Sequence, residues 1–291
     1  MRSNGASNNG QALSSQQNQS RLVFNRVHRY IGRVSKTLAA ENVHRFRTNG
    51  RRVEALIDQL APETRNKKKL LKLLSKLRKK AGKLRDVDVQ TTFLKALKVP
   101  DRHNHRAQLL EILAEEHSRR SRKLAKAFDA ETVRELRKRL HRAEGEVKLD
   151  GFAPLRCAYA CLPKPGQVPF NEKFLHTCRI AAKQSRYLAE LDVESAEAMA
   201  LVLELKRAQD AIGEWHDVLK LREQAERLFG SARESALVAA LQNISRARFR
   251  RAESSLVAAL NAVAQLQRSS KEKPEPKAAV AEITAPQAAV A

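Results

Sequence analysis

Apolar residues recur at intervals of three and four through most of this 291-residue chain, and Pro or Gly interrupts the pattern only at a few joints. The pattern predicts helices over residues 22–40 and 42–60, the second ended by Ala61-Pro62. A long helix over 64–97 stops at Val99-Pro100, and helices over 103–128 and 130–144 follow. A Gly- and Pro-rich joint then runs from Gly145 to Phe170, with a short apolar segment, FAPLRCAYACL, inside it. Further helices are predicted over 172–191, 195–229 and 234–267. Long helices joined by short turns suit antiparallel bundles, so the fold class is all-α. Residues 1–20 are rich in Asn, Gln, Ser and Gly, and residues 268–291 in Ala, Pro, Lys and Glu. Neither end carries enough apolar surface to offset the entropy of ordering it, so both are expected to be disordered tails around a folded unit over 21–267.

The helical pattern repeats. His44, Arg47 and Arg51 match His176, Arg179 and Lys183 at an offset of 132, and Gly82-Lys83-Leu84-Arg85-Asp86-Val87 matches Gly213-Glu214-Trp215-His216-Asp217-Val218 at an offset of 131. Two motifs in the same order and at nearly the same separation mark a duplicated helical unit. The first repeat covers about 21–145 and the second about 170–267, with 146–169 as the joint.

Helical phase says what the first motif does. At about 100° per residue, His44, Arg47 and Arg51 fall within about 60° of one another, while Phe46, Val53, Ile57 and Leu60 lie opposite. In the second copy His176, Arg179, Lys183 and Arg186 form the stripe, with Phe174, Cys178, Ala181 and Leu188 opposite. Each copy is expected to bury one face and present cations on the other. A stripe of charge is commonly a solvated face; these two lack regular acidic partners at i+3 or i+4 and share one order of residues, which favours a binding role. The helix over 64–97 adds ten Lys or Arg between Asn66 and Arg85 with no Asp or Glu among them. Like charges that dense repel by roughly a few tenths of a kcal/mol per close pair, and a bound polyanion would relieve the repulsion. Gly82 and Gly213, placed inside long helices, predict close approach of a neighbouring helix, and Asp86 and Asp217 are placed to anchor nearby cations.

Composition sharpens the ligand class. The net charge is +24, and it is uneven: residues 1–150 carry 36 Lys and Arg against 16 Asp and Glu, or +20, and residues 151–291 carry 20 against 16, or +4. An anionic partner is the direct inference. Cys157, Cys161 and Cys178 lack the second pair that a zinc site needs and read as reduced, packed thiols. His103 and His105 form the one close His pair but have no further ligands near in sequence, so no metal site and no cofactor is expected. Phosphoryl transfer through His44 or His176 would need a Gly-rich phosphate loop or a carboxylate cluster for a metal ion, and the sequence shows neither, so no catalytic residues are assigned. No stretch approaches a membrane span or a signal peptide, and cytoplasmic residence is the expectation.

The segments VHRFRTNGRRVEAL, LRKKAGKLRDVDV, LHTCRIAAKQSRYLAEL and AQDAIGEWHDVLKLRE resemble the CHAD domain, the conserved histidine α-helical domain, over roughly residues 21–267. The resemblance implies two helical bundles related by a pseudo-twofold axis, whose histidines and basic residues line a strongly positive central surface. In that family the surface binds inorganic polyphosphate, and members can localise to polyphosphate granules. Carried over by position, the motif assigns His44, Arg47, Arg51 and Arg52 in the first copy and His176, Arg179, Lys183 and Arg186 in the second. Lys76, Lys79, Lys83, Arg85, Lys206, Arg207 and His216 are the further basic positions it suggests. Glu54 and Gln184 depart from the family pattern, which has a basic residue at each place, and Asn49-Gly50 weakens the first motif helix. The implied protein binds polyphosphate without catalysis. Two readings compete with it: weak, nonspecific nucleic-acid binding, expected from charge alone although aromatics make up only 4% of residues, and a scaffold or adaptor at a granule surface.

Overall fold

A computed structural model describes residues 4–100, 103–149, 153–163 and 171–272. The described residues form helices α1 (Asn4–Val34), α2 (Ala40–Leu60), α3 (Arg65–Ala96), α4 (His105–Ala125), α5 (Ala130–Glu146), α6 (Pro154–Ala160), α7 (Glu172–Ala189), α8 (Ala196–Phe229) and α9 (Ala236–Glu272), with a 3-10 turn at Lys126–Phe128 and no strand among them. Several starts are set by side-chain caps: Thr64 accepts a hydrogen bond from the Lys67 amide at 3.1 Å, Asn171 from Phe174 at 2.8 Å and Ser195 from Ala198 at 3.1 Å.

Of the faces predicted to be apolar, Phe46, Val53 and Ile57 of α2 and Cys178 and Leu188 of α7 are buried, and Leu60, Phe174 and Ala181 are half-buried. Phe24, Val27 and Ile31 of α1, Val43, Phe46, Val53 and Ile57 of α2, Leu70, Leu74 and Leu77 of α3, and Leu136 and Leu140 of α5 make the core of the first half. In the second half, Leu175 and Cys178 of α7 pack with Ile212, Trp215 and Leu219 of α8 and Ala252 and Leu256 of α9. A further core joins the halves: Val87 and Leu94 of α3 and Leu109 and Leu113 of α4 pack against Val218 and Leu221 of α8 and Leu237 and Leu241 of α9. The two halves of the chain therefore share buried surface.

Three expectations change. The segment read as a polar tail over residues 1–20 is helical from Asn4, and Gln16 and Ser20 are buried. They continue, at i, i+4 and i+8, the line that leads to Phe24, and adding turns to an existing helix costs far less than nucleating one. The joint over 146–169 contains α6, whose Ala158 is fully buried against α7 and α8. Helix α9 runs to Glu272, past the expected end at 267; the tail expected beyond it, like residues 1–3, lies outside the described residues.

Candidate anion-binding cleft

Helices α2 and α7 pack against each other and are flanked by α3 and α8, so the two cationic stripes face one another across the junction of the halves. Between them lies a cleft of about 520 Å³. Arg51 of α2, Arg78 of α3 and His176, Arg179 and Lys183 of α7 line it, together with Glu54, Gln184 and Tyr187. The stripes are thus recessed, and this decides their chemistry: a recessed cation loses hydration and feels its neighbours.

The electrostatics record the crowding. Burial pushes the Lys183 amine down to about 6, and Arg179, Arg51 and Arg47 add to the shift. Burial and then Arg47 lower Arg51 to about 10. Arg179 is also lowered, first by burial and with help from Arg47, while Asp217 opposes the change. Its Nε is buried and has no hydrogen-bond partner among the described residues, a donor aimed at nothing that this part of the chain supplies.

Glycine and aspartate of the second motif serve the arginine of the first. A Cβ on Gly82 would stand 3.2 Å from Arg47 Nε, and Arg47 reaches Asp86 at 3.8 Å. A Cβ on Gly213 would stand 3.6 Å from an Arg179 Nη. The close approach predicted at these glycines is therefore made by the motif arginine's side chain, not by a helix backbone. Burial raises the Asp217 carboxyl, and Asp86 adds to the shift, while Arg179, Arg47 and Lys183 oppose it. A second cleft of about 430 Å³ contains Lys83, Asp86, His216, Asp217 and Lys220. The His216 and His176 rings are 5.7 Å apart, and burial followed by Arg179 and Lys220 drives His216 down to about 4. His44 stands near Arg85, whose charge adds to burial in lowering it.

The remaining assigned cations are placed differently. Arg52 donates to both Glu190 carboxylate oxygens, at 2.6 and 3.1 Å, and Arg186 lies 3.6 Å from the same carboxylate. Both guanidinium groups stack on Tyr187, at 5.4 and 5.1 Å from the ring centre. They clasp α2 to α7 and already have a counter-ion. Lys79 is exposed on α3, and Lys76 lines a separate cleft. Lys206 and Arg207 are exposed on α8, away from both clefts, with Arg207 paired to Glu204 at 2.6 Å. Lys67, one of the ten cations of the basic run, is buried and donates to the Asp58 and Ala61 carbonyls at the end of α2. Glu54, where the family pattern has a base, pairs with Arg78 at 2.6 Å, so α3 supplies the cation that α2 lacks. Arg78 was legible only as part of the basic run, since nothing in α3 alone says which of its cations turns inward.

The other candidates are structural. The His105 ring stacks on Phe229 at 4.3 Å and meets Ser235 Oγ at 2.8 Å. Burial pushes the Cys178 thiol up to about 11, as expected of a packed cysteine. No described helix is long and apolar enough to cross a membrane.

The family model for the CHAD domain matches residues 21–226. Two solved structures share the fold. The crystal structure of the CHAD domain from the plant Ricinus communis is 17% identical, with 87% of this chain and 91% of that one covered and a TM-score of 0.60. PptA from Streptomyces chartreusis is also 17% identical, with coverages of 87% and 99% and a TM-score of 0.62. No curated protein matches the sequence.

Proposed function

This chain belongs to the CHAD-domain family, and from that premise we propose that it binds inorganic polyphosphate in the cleft between α2 and α7 and works at polyphosphate granules in the cytoplasm. The family is associated with polyphosphate binding in general, and its members are not, as a rule, classical enzymes. The observation that carries the reading for this chain is the convergence of Arg51, Arg179 and Lys183 on one cleft, with Arg47 beside them and an unpartnered Arg179 Nε.

Each part has a task in this reading. Arg51 and Arg179 offer planar N–H pairs that match two oxygens of a phosphate, and Lys183 supplies an amine that a phosphate oxygen would recharge. Asp86 and Asp217 hold Arg47 and Arg179 in place without neutralising the cleft. His176 and His216, from the two sides of the second repeat, extend the path with ring N–H donors. In this reading the cleft holds a chain of phosphates without cleaving it.

A bare phosphate chain fits recessed cations better than a duplex, whose phosphates stand on a stiff, wide cylinder. Polyphosphate binding should weaken with salt with a log–log slope of about −3 if four phosphates are neutralised, taking the single-strand coefficient as a guide. Duplex DNA at equal phosphate concentration should displace little of it. Displacement in proportion to phosphate concentration would refute the cleft as a polyphosphate site and favour diffuse charge.

A further inference from the structure

The central cleft leaves most of the charge asymmetry unexplained. Its lining cations come from both repeats, yet the first 150 residues carry +20 of the +24. Part of the surplus is gathered elsewhere, in a cleft of about 280 Å³ on the outside of the first half. Four lysines converge there from three elements: Lys76 and Lys80 from α3, Lys123 from the end of α4, and Lys126 from the 3-10 turn. The single acid in its lining, Asp129, is turned to its own helix, accepting from the Thr132 amide at 2.7 Å and the Thr132 hydroxyl at 2.9 Å. None of the four lysines makes an ion pair among the described residues. Solubility does not ask for this, since a dispersed charge would serve it at less repulsion.

Helix geometry separates this cleft from the central one. At about 100° per residue, the α3 positions that face the junction of the halves, Leu71, Ser75 and Arg78, centre on one side, and Leu73, Lys76, Leu77 and Lys80 centre on the opposite side. The body of α3, about 10 Å across with its side chains, stands between them. The apolar floor of Leu73, Leu77 and Ala127 holds the lysine stems while their ammonium groups stay at the rim.

We propose that Lys76, Lys80, Lys123 and Lys126 form a second polyanion site, so that one chain grips two separate segments of polyphosphate and cross-links them. The proposal rests on polyphosphate being the ligand of the central cleft. Lysines suit the role: they are mobile point charges that follow a flexible chain without fixing its register. The central cleft, with its arginines and buried donors, would give the tighter hold, and the outer cleft the link to a neighbouring strand.

The test compares the wild-type chain with two variants. Lys76, Lys80, Lys123 and Lys126 are changed to Gln in one; in a control of equal charge, the exposed Lys36, Lys95, Lys98 and Lys173 are changed to Gln. Calorimetric titration uses tripolyphosphate, too short to pass around α3, and light scattering follows the mixing of each protein with long-chain polyphosphate. Wild type and control should bind two molecules of tripolyphosphate per chain and cluster the long polymer. The outer-cleft variant should bind one, with the tighter affinity unchanged, and should coat the polymer without clustering it. One site in the wild type, unchanged clustering in the outer-cleft variant, or equal loss in the control would each overturn the proposal. Changing Arg51, Arg179 and Lys183 to Gln should remove the tighter site alone; if that site survives, the central assignment fails while the stoichiometry of the outer-cleft variant still decides the second site.

Discussion

Lys183 should make polyphosphate binding take up a proton. In the empty cleft its amine lies at about 6, lowered by burial and by Arg179, Arg51 and Arg47, with Asp217 opposing. At pH 7 about nine chains in ten therefore hold it neutral. A phosphate oxygen beside the amine supplies the charge that the cleft lacks and returns the group toward its ordinary value near 10.5. The bound state then carries about 0.9 proton more than the free state at pH 7, and affinity should fall close to tenfold per pH unit above that, or about 100-fold from pH 7 to 9. The window follows from the direction of the shift. Below pH 6 both states are protonated and the dependence flattens; between 6 and 10.5 only the bound state is protonated and binding weakens as pH rises. Calorimetry in two buffers of different ionisation enthalpy, at fixed ionic strength and with long chains so that terminal phosphates contribute little, reads the proton count directly. Lys183→Met should bind more weakly at pH 7 and lose most of the dependence. Equal enthalpies in the two buffers, or the same pH slope in Lys183→Met, would refute the reasoning.

The same desolvation has a stability consequence: because the unfolded chain binds the Lys183 proton and the empty fold does not, stability from this group rises with pH between 6 and 10.5, so Lys183→Met should raise the melting temperature of the ligand-free protein at pH 7, by roughly 5 °C for a gain of about 2 kcal/mol, and lose that advantage near pH 10.5. Gly82→Ala should separate folding from binding, since alanine favours the helix by about 1 kcal/mol while its methyl group presses on Arg47 at 3.2 Å; thermal melts should hold or rise, and titrations should show weaker binding. Glu190→Gln removes the carboxylate shared by Arg52 and Arg186 and should cost about 2 kcal/mol in urea unfolding, with a smaller effect on binding than any change at Arg179.

Much of the helical layout was legible in the chain because hydrophobic period is a direct physical signal. The burial of Phe46, Val53 and Ile57 opposite Arg47 and Arg51 follows from helical phase alone. What phase cannot show is the partner across the gap. The recession of Arg51, Arg179 and Lys183 depends on α2 and α7 facing each other, a long-range fact that no local pattern encodes. For the same reason Arg52 looks like a member of the stripe until Glu190 is brought to it from the end of α7, and Lys67 looks like one cation of ten until it is found capping α2; Glu190 stands at i+4 from Arg186, so that pairing alone was open to local spacing. The segment over 4–20 escaped because Gln16 and Ser20 keep the helical spacing of the core while lacking its apolarity.

The central claim is that cations from both repeats build one polyphosphate site, and the most direct measurement is a titration of long-chain polyphosphate into the wild-type chain and into one in which Arg47, Arg51, Arg179 and Lys183 are all changed to Gln. Trp215, the single tryptophan and fully packed between α8 and its neighbours, reports by fluorescence that each protein is folded. The account predicts tight binding by the wild type near physiological salt and a loss of at least 100-fold in the variant. Equal affinity in the two, with Trp215 unchanged, would contradict it.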